Sequence, residues 1–211
     1  MKKLIPLFLI LSILSCNKKD DSITQGNGDW ELSKMSDAYR KFSENVLVYV
    51  ENDYIVFETD NLPDHKSPYY DQNNLLYEEY NGNNSNFRLN PNKIIKQNIV
   101  MKVPADPKES KTKIATPLGA IGIAVNGVVF YNQYAGPNNQ PLTNEINSFD
   151  QFNGHPQPQG AYHYHIEPLW LTSNLGKDAF LGFLNDGFPV YGPEESIPPE
   201  SATPMGTSLL K

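Results

Sequence analysis

Three of the chain's four histidines, His155, His163 and His165, fall in the stretch HPQPQGAYHYHIEP from residue 155 to residue 168. On an extended segment alternate side chains share a face. His163, His165 and Glu167 therefore fall on one side, with Tyr162, Tyr164 and Ile166 on the other. Two histidines at i and i+2 have Cα atoms about 6.5–7 Å apart, a gap that two imidazoles bridge by converging on one ion. Pro156 and Pro158 stiffen the loop before them, and Gly160 can supply an unusual backbone dihedral. Such a loop can swing His155 back toward the pair. Three imidazoles suit zinc, copper, iron or nickel, and spacing does not choose among these. Zinc and copper are the first candidates. Asp150, Glu167 and Asp186 are the carboxylates expected to complete the ligand set or to orient the rings.

Two other functions compete. With three protein ligands a metal keeps a position for water, and Glu167 or Asp186 can then act as general base. The sequence holds no H-E-x-x-H, no G-x-S-x-G and no phosphate-cradling loop, so it names no substrate for such an enzyme. The main rival to a metal site is a module that binds extracellular glycan or protein. Tyrosines 69, 70, 77 and 80 lie in an Asn-rich stretch from which exposed rings can stack on sugars. His65, in that stretch, is expected to be solvated.

The elements that must position these residues read as β structure. Trp30, Leu32, Met35, Tyr39 and Phe42 are spaced as on one short amphipathic helix. Val46–Val50 and Tyr54–Phe57 are β-branched and aromatic runs that predict two strands around a tight turn. Residues 61–92 predict a long surface excursion with little regular structure. A strand is expected within Ile94–Val103. The clearest hairpin is Ile121–Tyr131, where Asn126-Gly127 suits a type I′ turn. Phe180–Tyr191 is a second, turning at Asn185-Asp186-Gly187. No internal repeat, long helix or heptad is evident. The fold class is mainly β, an antiparallel sandwich-like domain with long loops over residues 30–193.

The N-terminus predicts an address. Lys2 and Lys3 precede the apolar run Leu4–Leu14, which is short against the roughly 20 residues that cross a bilayer and fits a secretory leader. Ile13-Leu14-Ser15-Cys16 resembles a bacterial lipobox, with Cys16, the only cysteine, as the lipidated residue. Residues 1–15 are then the lipoprotein signal peptide and 16–29 a flexible tether. Lys18-Lys19-Asp20-Asp21 is similar to the surface-export signals of Bacteroidetes-type lipoproteins. The expected location is the bacterial cell envelope, with the lipid on Cys16 anchoring the chain to the outer membrane. Loss of the leader leaves 15 of the 17 Lys and Arg against 24 Asp and Glu. No basic cluster tracks a phosphate backbone, which excludes nucleic acid as a partner.

Three blocks carry a family resemblance: TPLGAIGIAVNGVVFYNQYAGP (116–137), NGHPQPQGAYHYHIEP (153–168) and LGFLNDGFPVYGP (181–193). In this order they resemble the YHYH-domain family of secreted bacterial proteins. The resemblance brings no established activity with it. It also implies a departure. Family members run on past the third block into a further acidic, His-containing stretch, whereas residues 194–211 here form a polar tail without histidine. The resemblance thus implies a shortened C-terminus, and with it an incomplete site or an open sheet edge.

Overall fold

The structure is a computed structural model and describes residues 37–194. The signal peptide, Cys16, the tether, the first part of the expected helix and nearly all of the tail lie outside the described residues. Of that helix the described portion is a 3₁₀ turn, Asp37–Lys41. Its Tyr39 ring stacks on Phe183 at 4.6 Å, and Phe42 beyond it packs on Phe57 at 4.6 Å.

Two sheets share one core. The first is the antiparallel meander β1 (Val46–Glu51), β2 (Tyr54–Thr59) and β3 (Ile99–Pro104). Asn52, at φ 54°, makes the tight turn between β1 and β2. The second sheet contains β4 (Ala120–Ala124), β5 (Val129–Tyr131), β8 (Gly154–Pro156), β9 (Tyr162–Tyr164), β10 (Phe180–Leu184) and β11 (Pro189–Tyr191) in the order β11-β10-β4-β5-β9-β8. A small ribbon, β6 (Tyr134–Ala135) with β7 (Gln140–Pro141), and a 3₁₀ turn, Glu145–Ser148, lie between β5 and β8. One short helix, α1 (Leu169–Leu175), joins β9 to β10. Ile55, Phe57, Met101 and Val103 from the first sheet meet Ile121, Ile123, Phe180 and Phe183 from the second in one buried cluster. The chain is mainly β, as its texture predicts. Among the described residues all but one of the strand pairs are antiparallel; β5 and β9 run parallel, with Val129 opposite His163 and Phe130 opposite Tyr164.

Both expected hairpins form, but the first does not use the expected type I′ turn. Around Asn126-Gly127 only Gly127 has positive φ; its N–H donates to the Ala124 carbonyl, and the Ala124 N–H to the Val128 carbonyl. That is a type I turn closed by a left-handed glycine. Around Asp186-Gly187 the pattern recurs, with Gly187 N–H donating to Leu184 and Leu184 N–H to Phe188.

The two hairpins share one pairing register set 60 positions apart, a structural repeat that the sequence does not display. Ala120, Gly122 and Ile123 pair with Tyr131, Phe130 and Val129; Phe180, Gly182 and Phe183 pair with Tyr191, Val190 and Pro189. Each carries the same irregularity before its first glycine. They meet along β4 and β10, where Ile123 lies opposite Phe183 and a local two-fold axis passes between them. The bonds Val125 N–H to Leu181 and Asn185 N–H to Ile121 are each other's images. Gly122 and Gly182 permit the close approach. A Cβ on Gly122 would stand 2.5 Å from the Phe183 carbonyl oxygen, and one on Gly182 would stand 2.0 Å from that of Ile123.

Alanine at either glycine should therefore force β4 and β10 apart, costing about 1–3 kcal/mol, with Gly182→Ala the worse because its φ is also positive. Equilibrium urea unfolding reads this directly, and an unchanged midpoint for Gly182→Ala would contradict the close approach.

Candidate metal centre

The stiff loop after His155 folds into a hairpin. Gly160 takes φ 82° and donates its N–H to Gln157, while Gln157 donates to Ala161. β8 is thereby laid antiparallel on β9, with His155 directly opposite His163. His165 follows β9 on the face of His163, as alternation requires. All three imidazoles are buried. One ring nitrogen of each, with one oxygen of Glu145, lies within 4.8 Å of the others. His163 Nε2 is 3.1 Å from His165 Nε2, and Glu145 Oε1 is 3.2 Å from His155 Nε2 and 4.0 Å from His165 Nε2.

The outer nitrogens decide where the ring protons sit. His163 Nδ1 lies 3.0 Å from the Ala161 carbonyl and His165 Nδ1 lies 2.6 Å from that of Asn132. Carbonyls only accept, so both nitrogens carry a proton. Ser148 Oγ donates to the Glu145 carbonyl at 2.7 Å and lies 2.8 Å from His155 Nδ1. A neutral imidazole has one ring proton. His163 and His165 have spent it outward, so their two Nε2 lone pairs face each other beside His155 Nε2 and a carboxylate oxygen. No hydrogen bond satisfies the buried His155 Nε2.

Aromatic rings wall the rings in. Tyr131 stacks on His163 at 3.9 Å, Phe149 stacks on His165 at 5.7 Å and meets His155 edge-on at 4.8 Å. Burial drives the His163 pKa well below its ordinary value, helped by the neighbouring His155 and His165, and burial likewise lowers that of His165. Both are neutral at pH 7.

The carboxylates expected from the sequence lie elsewhere. Asp150 is fully buried on the far side of β9, accepting from Ser67 Oγ at 2.6 Å, Tyr162 OH at 2.8 Å and the Phe152 N–H at 2.9 Å. Glu167 turns away to Thr172 Oγ1 at 2.6 Å and to Lys177. Asp186 sits exposed in the β10–β11 turn, accepting from the Phe188 N–H at 3.3 Å. Glu145, which spacing did not single out, takes their place. It stands ten residues before His155 in a polar run, and no periodicity links the two.

His65 is not solvated. It is buried among Phe152, Tyr162, Tyr164 and Trp170, accepting at Nε2 from Tyr164 OH at 3.1 Å. The Asn-rich stretch around it has little regular structure, as expected, yet it packs on the domain. Tyr69 and Tyr70 are buried and form no exposed platform, while Tyr80 is half-buried and stacks on Phe87 at 3.8 Å.

Residues 100–208 match the family model described as YHYH protein, a span that takes in Glu145 and all three clustered histidines. The chain belongs to the YHYH family. The match continues to residue 208, through the stretch without histidine. No curated protein and no solved structure matches the chain.

The lowered pKa values of His163 and His165 fix the sign of a pH effect. Unfolded histidines protonate near pH 6.5, whereas these two stay neutral in the fold. Stability should be full above that pH and fall as pH drops from 6.5 toward the lower folded values, by up to about 1.4 kcal/mol per pH unit for each ring. Asp150, whose pKa burial raises, works in the opposite sense. Urea unfolding of chelator-treated protein between pH 7 and pH 5 checks this, and a flat profile would contradict it.

Proposed function

We propose that this YHYH-family domain binds one transition-metal ion through Nε2 of His155, His163 and His165 and a carboxylate oxygen of Glu145, with zinc the first candidate and copper the second. One observation carries the reading. Two buried imidazoles with their protons committed outward aim lone pairs at a common point beside a third imidazole and a carboxylate. Without a cation, these acceptors repel one another; with one, all four groups are satisfied. Ligands on a tetrahedral zinc ion stand about 3.3 Å apart, given bonds near 2.0–2.1 Å. The separations of 3.1, 3.2 and 4.0 Å come near that spacing. Three nitrogens and one oxygen, with no sulfur, suit Zn(II) or Cu(II) better than Cu(I).

A metal-free arrangement is the alternative. Protonating His155 gives an ion pair with Glu145, but His163 and His165 then share a proton only if one gives up its carbonyl partner. Four protein ligands fill a tetrahedral ion, which favours a structural or binding role over hydrolysis. The chain would act at the bacterial envelope, held to the outer membrane by lipid on Cys16, with an extracellular partner rather than nucleic acid.

Calorimetric titration of the mature chain should give one zinc per molecule and raise its melting temperature. His163→Ala with His165→Ala should abolish binding, and Glu145→Gln should weaken it by about 10–100-fold or more. Asp186→Asn should leave it unchanged. Absence of saturable zinc or copper binding to the parent chain would end the proposal. Separately, Cys16→Ser should move the protein from the membrane to the soluble fraction; continued membrane association would refute the lipid anchor.

A further inference from the structure

The local two-fold axis relates more than two hairpins: it relates what lies beside them. On one side β5 is covered by β9, and His163 stacks on Tyr131. On the other side, β11 is the last strand of its sheet among the described residues, and Tyr191, the counterpart of Tyr131, is 47 % exposed. Its backbone is turned for pairing. The Gly192 N–H is spent inward on the Ala179 carbonyl, so alternation points the Tyr191 N–H and carbonyl at the open side.

Pro189, which lacks an N–H, does not close this slot. Its counterpart Val129 does not give its amide to β9 either. The Val129 N–H donates to Asn61 Oδ1 at 2.9 Å, and Asn61 Nδ2 passes on to the Tyr162 carbonyl at 2.8 Å. A proline at the matching position of β11 thus forfeits no bond that a parallel neighbour would use. Proline is also tolerated at a sheet edge.

We propose that the β11 edge is a docking surface for an extended segment of another polypeptide, laid parallel to β11 and carrying a flat ring, imidazole or aromatic, over Tyr191. The occupant is specified by the image strand: β9 fills the equivalent place with alternating Tyr and His. Strand addition of this kind draws affinity from main-chain hydrogen bonds and specificity from alternate side chains.

The probe is the labelled peptide GAYHYHIEP, the chain's own residues 160–168, with GAYFYFIEP beside it to separate strand pairing from metal bridging. Both should bind the full chain saturably by fluorescence anisotropy and slow amide exchange at Tyr191 by at least about tenfold. Tyr191→Pro, which removes the outward N–H at an exposed position, should abolish binding of both. The proposal is overturned if neither peptide slows exchange at Tyr191, if protection falls on another strand edge, or if Tyr191→Pro binds as the parent does. It is equally overturned if only the His peptide binds and a chelator releases it. A Tyr191 amide already protected without peptide would mean the chain fills the slot itself, and would overturn it too.

Discussion

A neutral imidazole has one proton for two nitrogens, and this fold claims that proton on the outer side of His163 and His165. The Ala161 and Asn132 carbonyls are the claimants, while Ser148 Oγ lies 2.8 Å from His155 Nδ1. Burial prevents water from answering the inner nitrogens and keeps His163 and His165 unprotonated. What remains is a buried group of three histidines and Glu145 that could hold a metal ion. The pairing of β8 with β9, the parallel seating of β9 on β5 and the 3₁₀ turn that delivers Glu145 and Ser148 all converge on that one place.

The opposite face of β9 explains why the site holds its shape. Tyr162 and Tyr164 point away from the cluster into a second polar network, where Asp150 gathers Ser67, Tyr162 and two backbone amides of its own turn. The Asn-rich excursion supplies much of the rest. Asn61 bridges β5 and β9, while Asn90 and Asn92 both donate to the Pro156 carbonyl beside His155. Short amides are suited to this because they satisfy strand-edge groups without bulky packing, and Asn74, Asn84 and Asn90 also close their own turns. The asparagines that make this segment look like surface loop are the groups by which it is built into the domain.

The repeated hairpin shows how weak a sequence signal a structural repeat can leave. Over twelve paired positions only Gly122/Gly182, Gly127/Gly187 and Tyr131/Tyr191 are identical. The glycines are kept by geometry, two at the crowded contact of β4 with β10 and two at left-handed turn positions. The remaining positions need only be apolar or turn-forming, so they can differ. The axis is broken outside the hairpins, where one flank carries β9 and the histidines and the other ends at β11.

What the sequence determined by itself was local. Alternation put His163 and His165 on one face, two prolines and a glycine bent His155 back opposite them, and β-branched runs with Asn and Gly turns specified strands and hairpins. These follow from periods of two and from dihedral limits that act within a few residues. Tertiary structure decided the rest. Glu145 rather than Asp150, Glu167 or Asp186 joins the histidines, because a 3₁₀ turn ten residues upstream folds over β8. His65 is buried rather than wet because the excursion closes over β9, and β9 runs parallel to β5 because a long crossover brings it there. Such choices depend on which distant surfaces come together, and no spacing along the chain encodes that.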